Sequence, residues 1–145
     1  MAIETVSDDD IRKFVEEWYV ALDRHEPLSR VEPFLTDRDL VMVFPEGTFR
    51  GIEQFRGWYD KVINRFFDER HTVTEVGVQW RPDGTATVKV VVNWQARIWD
   101  PPAPDSTWLG FDAYQTWVVS AAEGAPRIVS YAVDDLAPMP GSASL

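Results

Sequence analysis

Cysteine is absent from the 145-residue chain, which excludes disulfides, thiolate metal sites and a cysteine nucleophile and leaves the redox compartment open. Histidine is scarce, with only His25 and His71 present. Basic residues are outnumbered, 14 against 24 acidic, and the formal charge of -10 sets up a field that repels nucleic acid and anionic membrane surfaces. No apolar window approaches the roughly 18 residues of a membrane span. The opening MAIETVSDDDIRKF has neither the basic stretch nor the apolar run of a signal peptide. The expectation is therefore a cytoplasmic protein that takes neither nucleic acid nor membrane as a partner.

What the chain does have is material for one core. Its length and 45% hydrophobic content suit a single domain spanning residues 1–145, with no room for a second. Seven tryptophans in so short a chain fit either a wide aromatic cavity or bulky core filling.

Ser7 followed by Asp8, Asp9 and Asp10 offers a cap and an acidic first turn for a helix reaching about Arg24, with Ile11, Phe14, Val15, Trp18 and Leu22 at helical spacing. After the break at His25, Glu26 and Pro27, a short second helix passes through Val31, Phe34 and Leu35. Leu40 to Phe44 predicts a strand, Thr48 to Arg50 a brief second one, and IEQFRGWYDKVINRFF a third helix. Beyond Arg70 the chain reads as sheet: HTVTEVGVQW, TATVKVVVNWQARIW, Thr107 to Ala121, and Arg127 to Asp135 after the turn AAEGAP. Gly77 is a candidate bulge. DPPAPDS should be an exposed loop, and the Pro, Gly and Ser-rich tail from about 137 should be mobile.

An α+β order of three helices with a small hairpin before the third, then long antiparallel strands, resembles the NTF2-like superfamily over residues 8–136. The stretch LVMVFPEGTFRGIEQFRGWY is similar to SnoaL-like polyketide cyclases and ketosteroid isomerases. The resemblance implies a cone: three N-terminal helices packed on a strongly curved, mainly antiparallel sheet around an apolar pocket. Its members range from isomerases, dehydratases and epoxide hydrolases to noncatalytic binding modules, so fold alone gives no reaction. Compared with the isomerases, Phe44 stands where the general-base Asp would be and Trp18 near the helix-1 tyrosine, while Asp112 matches the protonated Asp. A scytalone dehydratase-like site would need two pocket histidines, where only His25 and His71 exist. A limonene epoxide hydrolase-like Asp-Arg-Asp set would need Asp112 and Arg97 together, yet strand parity puts them on opposite faces.

Taking Trp94 as inward orients Asp112 and Tyr114 inward on the next strand and Tyr131 inward on the last, bringing a carboxyl and two phenols together. The alternative inner face, Leu109, Phe111, Ala113, Trp117 and Val119, is the more apolar one, so both orientations stay open. His71 is the natural base if it points inward, because imidazole is the side chain whose unperturbed pKa lies near neutrality. The expected catalytic set is Asp112, Tyr114, Tyr131 and His71, and the expected ligand-binding set is Trp18, Met42, Phe44, Trp58 and Trp94. The acidic run Asp8 to Asp10 and the pair Asp134 and Asp135 lack convergent partners, so neither a metal nor a cofactor is called for. The expected ligand is a hydrophobic, ring-containing small molecule. The expected function is an isomerase, lyase or hydrolase working by carboxyl and phenol acid-base chemistry. The competing expectations are a noncatalytic binding or assembly module and an accessory subunit of a larger enzyme. The mixed outer face Val91, Asn93, Gln95, Arg97 and Trp99 points to a homodimer through the sheet.

Overall fold

Ser7 opens the first helix: its hydroxyl accepts the Asp10 backbone N–H at 3.1 Å, while the Asp10 carboxylate accepts the Ser7 N–H at 2.8 Å. In the computed structural model, which describes residues 5–122 and 124–145, helix α1 (Asp8–Asp23) buries Ile11, Phe14, Val15, Trp18, Tyr19 and Leu22 along one face. Residues 1–4 of the stretch read for targeting signals, and residue 123 of the AAEGAP turn, lie outside the described residues. The helix ends where His25 turns into the left-handed region at φ 50°. There its N–H bonds to the Leu22 carbonyl and the Glu26 N–H to that of Ala21, the pattern that closes helices most easily on glycine.

A short helix α2 (Leu28–Val31) and one 3-10 turn (Glu32–Phe34) lead to β1 (Val41–Phe44) and β2 (Gly47–Arg50), then helix α3 (Gly51–Arg65). Four longer strands follow: β3 (Phe67–Trp80), β4 (Thr85–Ile98), β5 (Thr107–Ser120) and β6 (Arg127–Pro138). They form one six-stranded sheet in the order β2-β1-β6-β5-β4-β3. Among the named strands of the described residues, β1 and β6 pair in parallel and the other pairs are antiparallel. Three helices on a curved, mostly antiparallel sheet make the cone that the resemblance to the NTF2-like superfamily implies. Among the described residues no helix is long and apolar enough to cross a membrane.

The inner face of the sheet carries Val88, Val90 and Val92 on β4, Ala113, Trp117 and Val119 on β5, and Ile128 and Tyr131 on β6, all buried. Register decides which residues join them. Val92 stands opposite Ala113, and Val90 opposite Gln115, whereas Asn93 faces Asp112 and Val91 faces Tyr114. Direct partners share a face, so Asp112 and Tyr114 lie on the outside. This corrects the inward orientation expected for both. Trp94 does face the interior, but its partner is Phe111, and a displacement of one residue turns every side chain of a strand to the opposite face.

The irregular positions also differ from expectation. Gly77 pairs in register with Lys89, and the shifts fall between Phe67 and Arg70 and between Val73 and Glu75. Beyond β6 the tail lies along β5: Met139 N–H bonds to the Gly110 carbonyl, Ala143 N–H to that of Trp108, and the Ser142 hydroxyl accepts the Gly110 N–H. Gly110 makes this close approach possible, since a Cβ there would sit 2.5 Å from Trp108 Cζ2 and 2.8 Å from Met139 Sδ.

Candidate active site

Between α3, the end of α1 and the inner face of the sheet lies a cavity of about 90 Å³. Glu46, Trp58, Phe66 and Leu145 also border a wider recess of about 600 Å³ reached by Lys61 and Arg65, which makes that side the mouth. The wall is largely apolar, with Leu22, Phe44, Val62, Val92, Ala113 and Val133 among its residues. Aromatic rings add stiffness: Phe44 and Trp58 stack with centroids 3.8 Å apart.

His71 is the polar centre of this wall. On β3 it shares the inward face with Glu69, two residues before it, and both line the cavity. Helix α1 brings Tyr19 and Asp23, four residues apart, to the same side. Asp23 Oδ1 lies 2.6 Å from His71 Nδ1, and Asp23 Oδ2 accepts the His71 backbone N–H at 2.9 Å. A carboxylate can only accept, so Nδ1 carries the hydrogen, and in the neutral ring Nε2 keeps its lone pair. Among the described residues Nε2 has no hydrogen-bond partner. The ring is stacked against Tyr19 at 4.6 Å and against Trp94 at 6.2 Å, which fixes its orientation.

A buried polar chain runs beside it. The Trp117 indole N–H donates to Gln115 Oε1 at 3.1 Å, which turns the amide N–H₂ of Gln115 toward Tyr19, whose hydroxyl oxygen accepts at 2.8 Å. The Tyr19 and Tyr131 hydroxyls are 2.9 Å apart. One phenolic hydrogen occupies the bond between them, so the other is left over, on a residue that lines the cavity either way. Burial raises Tyr19 well above the usual phenol range, with Tyr131 adding to it, and burial pushes Tyr131 up to about 12. Both therefore remain neutral donors.

A second histidine pairs with a carboxylate nearby: His25 Nε2 lies 2.6 Å from Glu69 Oε2, and Glu69 Oε1 accepts the Trp94 indole N–H at 3.1 Å. His25 itself stands behind Glu69 and does not line the cavity. Among the described residues no three His, Asp or Glu side chains gather in a geometry that could hold a metal.

Of the residues expected at the site, His71, Tyr131, Phe44, Trp58 and Trp94 line the cavity. Asp112 does not: it accepts from Asn93 Nδ2 at 3.0 Å on the outer face. Tyr114 is 44% exposed on that same face. Trp18 and Met42 are fully buried in the core beneath the cavity rather than in its wall. Trp18 packs among Phe34, Phe55, Trp117 and Tyr131. The residues that sequence reasoning missed are Tyr19, Asp23, Glu69 and Gln115. The helical spacing of Tyr19 and Asp23 and the alternation of Glu69 and His71 were visible, but not that the two segments meet.

A sequence model of the SnoaL-like domain matches residues 4–131. No curated protein matches the chain. The LinA-type3 hexachlorocyclohexane dehydrochlorinase from Novosphingobium barchaimii has the same fold, with a TM-score of 0.72 at 16% identity over 96% of this chain and 99% of that one. A candidate dehydratase of the NTF2-like family from Streptomyces avermitilis gives 0.73 at 16% over 91% and 95%. A protein with a cystatin-like fold from Nostoc punctiforme gives 0.72 at 14% over the whole of both chains. Identities this low establish the shared fold alone.

Proposed function

We propose that this chain, which belongs to the SnoaL-like domain family, is a small-molecule enzyme that removes a proton from carbon in an apolar, ring-containing ligand, as an elimination or an isomerisation requires. The observation that carries the reading is the His71–Asp23 contact of 2.6 Å in the cavity wall. Nε2 of His71 takes the proton, and the imidazolium that forms is stabilised by the Asp23 carboxylate. The free phenolic hydrogen of the Tyr19–Tyr131 pair donates to a ligand oxygen on which negative charge develops. Two structural relatives, named for dehydrochlorination and dehydration, give this chemistry a precedent on the same fold. Of the catalytic set expected from sequence, His71 and Tyr131 keep a part in this reading, whereas Asp112 and Tyr114 lie on the outer face.

Exchange of the α-hydrogens of cyclohexanone into deuterated water, followed by proton NMR, tests the proposal without knowledge of the natural substrate. Wild-type protein should accelerate the exchange by about 10²-fold, and His71→Gln should remove that acceleration. Exchange at the buffer rate with folded wild-type protein would sink the reading.

A further inference from the structure

The chemistry proposed above uses one histidine–carboxylate pair and leaves the other idle. Glu69 lines the cavity although only 4% of its side chain is exposed, while His25 behind it is 27% exposed. A carboxylate withdrawn from water into an apolar wall is costly, and a pair that merely joined α1 to β3 could be replaced by apolar side chains with little loss. The backbone on both sides of the pair is strained as well. His25 has φ 50° where glycine closes a helix most easily, and Asp68, which precedes Glu69, also has φ 50°. Such outliers persist where the surroundings hold them, and they collect at ligand sites.

We propose that Glu69 receives the hydrogen bond of a ligand hydroxyl, with His25 as the positioning residue that holds the carboxylate, so that the protein selects a hydroxyl-bearing ring over a halogenated one. This deepens the proposal of a small-molecule cavity and depends on it. Each oxygen of Glu69 has two acceptor sites and has one protein partner, Nε2 of His25 or the indole of Trp94, which leaves acceptor capacity for an O–H. A halogen or a carboxylate on the ligand would instead bring negative charge toward it. The other carboxylate in the cavity wall is Glu46, and among the described residues no lysine or arginine lines the cavity. A departing anion therefore finds no fixed cation there, whereas a hydroxyl finds an acceptor at Glu69 and a donor at the tyrosine pair.

Cyclohexanol and chlorocyclohexane share a ring and differ in that one group. Their affinities can be compared by titration with ¹⁵N NMR, which also follows the Trp94 indole N–H. Wild-type protein should bind cyclohexanol about tenfold more tightly, and cyclohexanol alone should move the Trp94 resonance. Glu69→Gln, which keeps the shape and removes the charge, should abolish most of that ratio. His25→Gly should also lower the ratio while leaving stability level or higher, since glycine relieves the left-handed backbone; a purely structural pair would give lost stability and an unchanged ratio. Equal affinities in the wild type, or a ratio unchanged in both variants, would overturn the proposal. Should Glu69→Gln fail to fold, a Trp94 resonance unmoved by cyclohexanol in the wild type would overturn it equally. Exchange of cyclohexanone without hydroxyl selection means that this inference alone fails. Hydroxyl selection without exchange means that the proposed base chemistry alone fails.

Discussion

Asp23 gives both of its carboxylate oxygens to one residue, His71: Oδ1 meets the ring nitrogen Nδ1 at 2.6 Å and Oδ2 meets the backbone N–H at 2.9 Å. The helix end is thereby tied to the strand at the same point that orients the base. Asp23→Asn keeps the size of the side chain but loses the charge that stabilises an imidazolium. Ring-ketone exchange should fall by up to about 10²-fold, to the buffer rate, while circular dichroism reports a retained fold. Exchange within a factor of two of wild type would remove Asp23 from the mechanism.

The tyrosine pair predicts the alkaline limit of the fold. Burial pushes Tyr131 up to about 12 from the ordinary 10.0, and raises Tyr19 well above it. A raised folded-state value means that the unfolded chain releases the proton first as pH climbs. The contribution of these phenols to stability is thus complete below pH 10 and lost as pH rises from about 10 toward about 12. Urea unfolding measured between pH 8 and pH 12 should show the midpoint falling across that window. In Tyr131→Phe the fall should be shallower, beginning from a stability lower by about 1 kcal/mol.

The outer face of the sheet is proposed to join two copies of the chain. Val91 and Tyr114 stand opposite each other there, Tyr114 is 44% exposed and Trp99 50%. An interface of about 1,600 Å² in total would be ordinary for a dimer. Light scattering at micromolar concentration should give a dimer for the wild type and a monomer for Tyr114→Glu, which places a charge in the middle of the face. Asp112→Asn and Tyr114→Phe, both remote from the cavity, should leave cyclohexanone exchange at the wild-type rate.

The reciprocal cap of α1 should be measurable on its own. Ser7→Ala removes the acceptor for the Asp10 N–H and should cost about 1 kcal/mol in urea unfolding. The Asp10 carboxyl is held below its ordinary value, first by the Ser7 backbone N–H and then by the Ser7 side chain. A lowered folded-state value contributes stability above the unfolded value of 3.8 and loses it as pH falls. The gap between wild type and variant should therefore narrow on acidification, and a gap that widened would contradict the capping geometry.

The fold was legible because its signals are local. Ser7 and Asp10, the apolar spacing through Trp18 and Leu22, and the Pro45–Gly47 turn each act within a few residues, and so do the alternating valines of β4. His71 was legible as a base through its chemistry, and Tyr131 through strand parity. Asp112 and Tyr114 were misplaced because register between β4 and β5 depends on how the hairpin closes, and alternation alone gives two solutions of opposite face. Asp23 and Glu69 stayed hidden for another reason. Each is an ordinary acidic residue among 24 in the chain until α1 and β3 come together. Trp18 and Met42 went astray because a core residue and a cavity-lining residue have the same sequence signature, and only packing separates them.

The parallel pairing of β1 with β6 has a consequence for how the molecule is made. Val41, Met42 and Val43 find their partners in Ser130, Tyr131 and Ala132, while their other neighbour in the sheet is the four-residue β2 (Gly47–Arg50). On the ribosome, the first strand must wait with one edge open until the last strand has been translated, an interval of roughly 5 to 20 seconds at ordinary elongation rates of about 5–20 residues per second. Tyr131 arrives with that same strand, so the phenol pair cannot form earlier. The nascent protein therefore exposes an unpaired apolar edge for more than half of its synthesis, and both the sheet and the cavity close only as β6 docks.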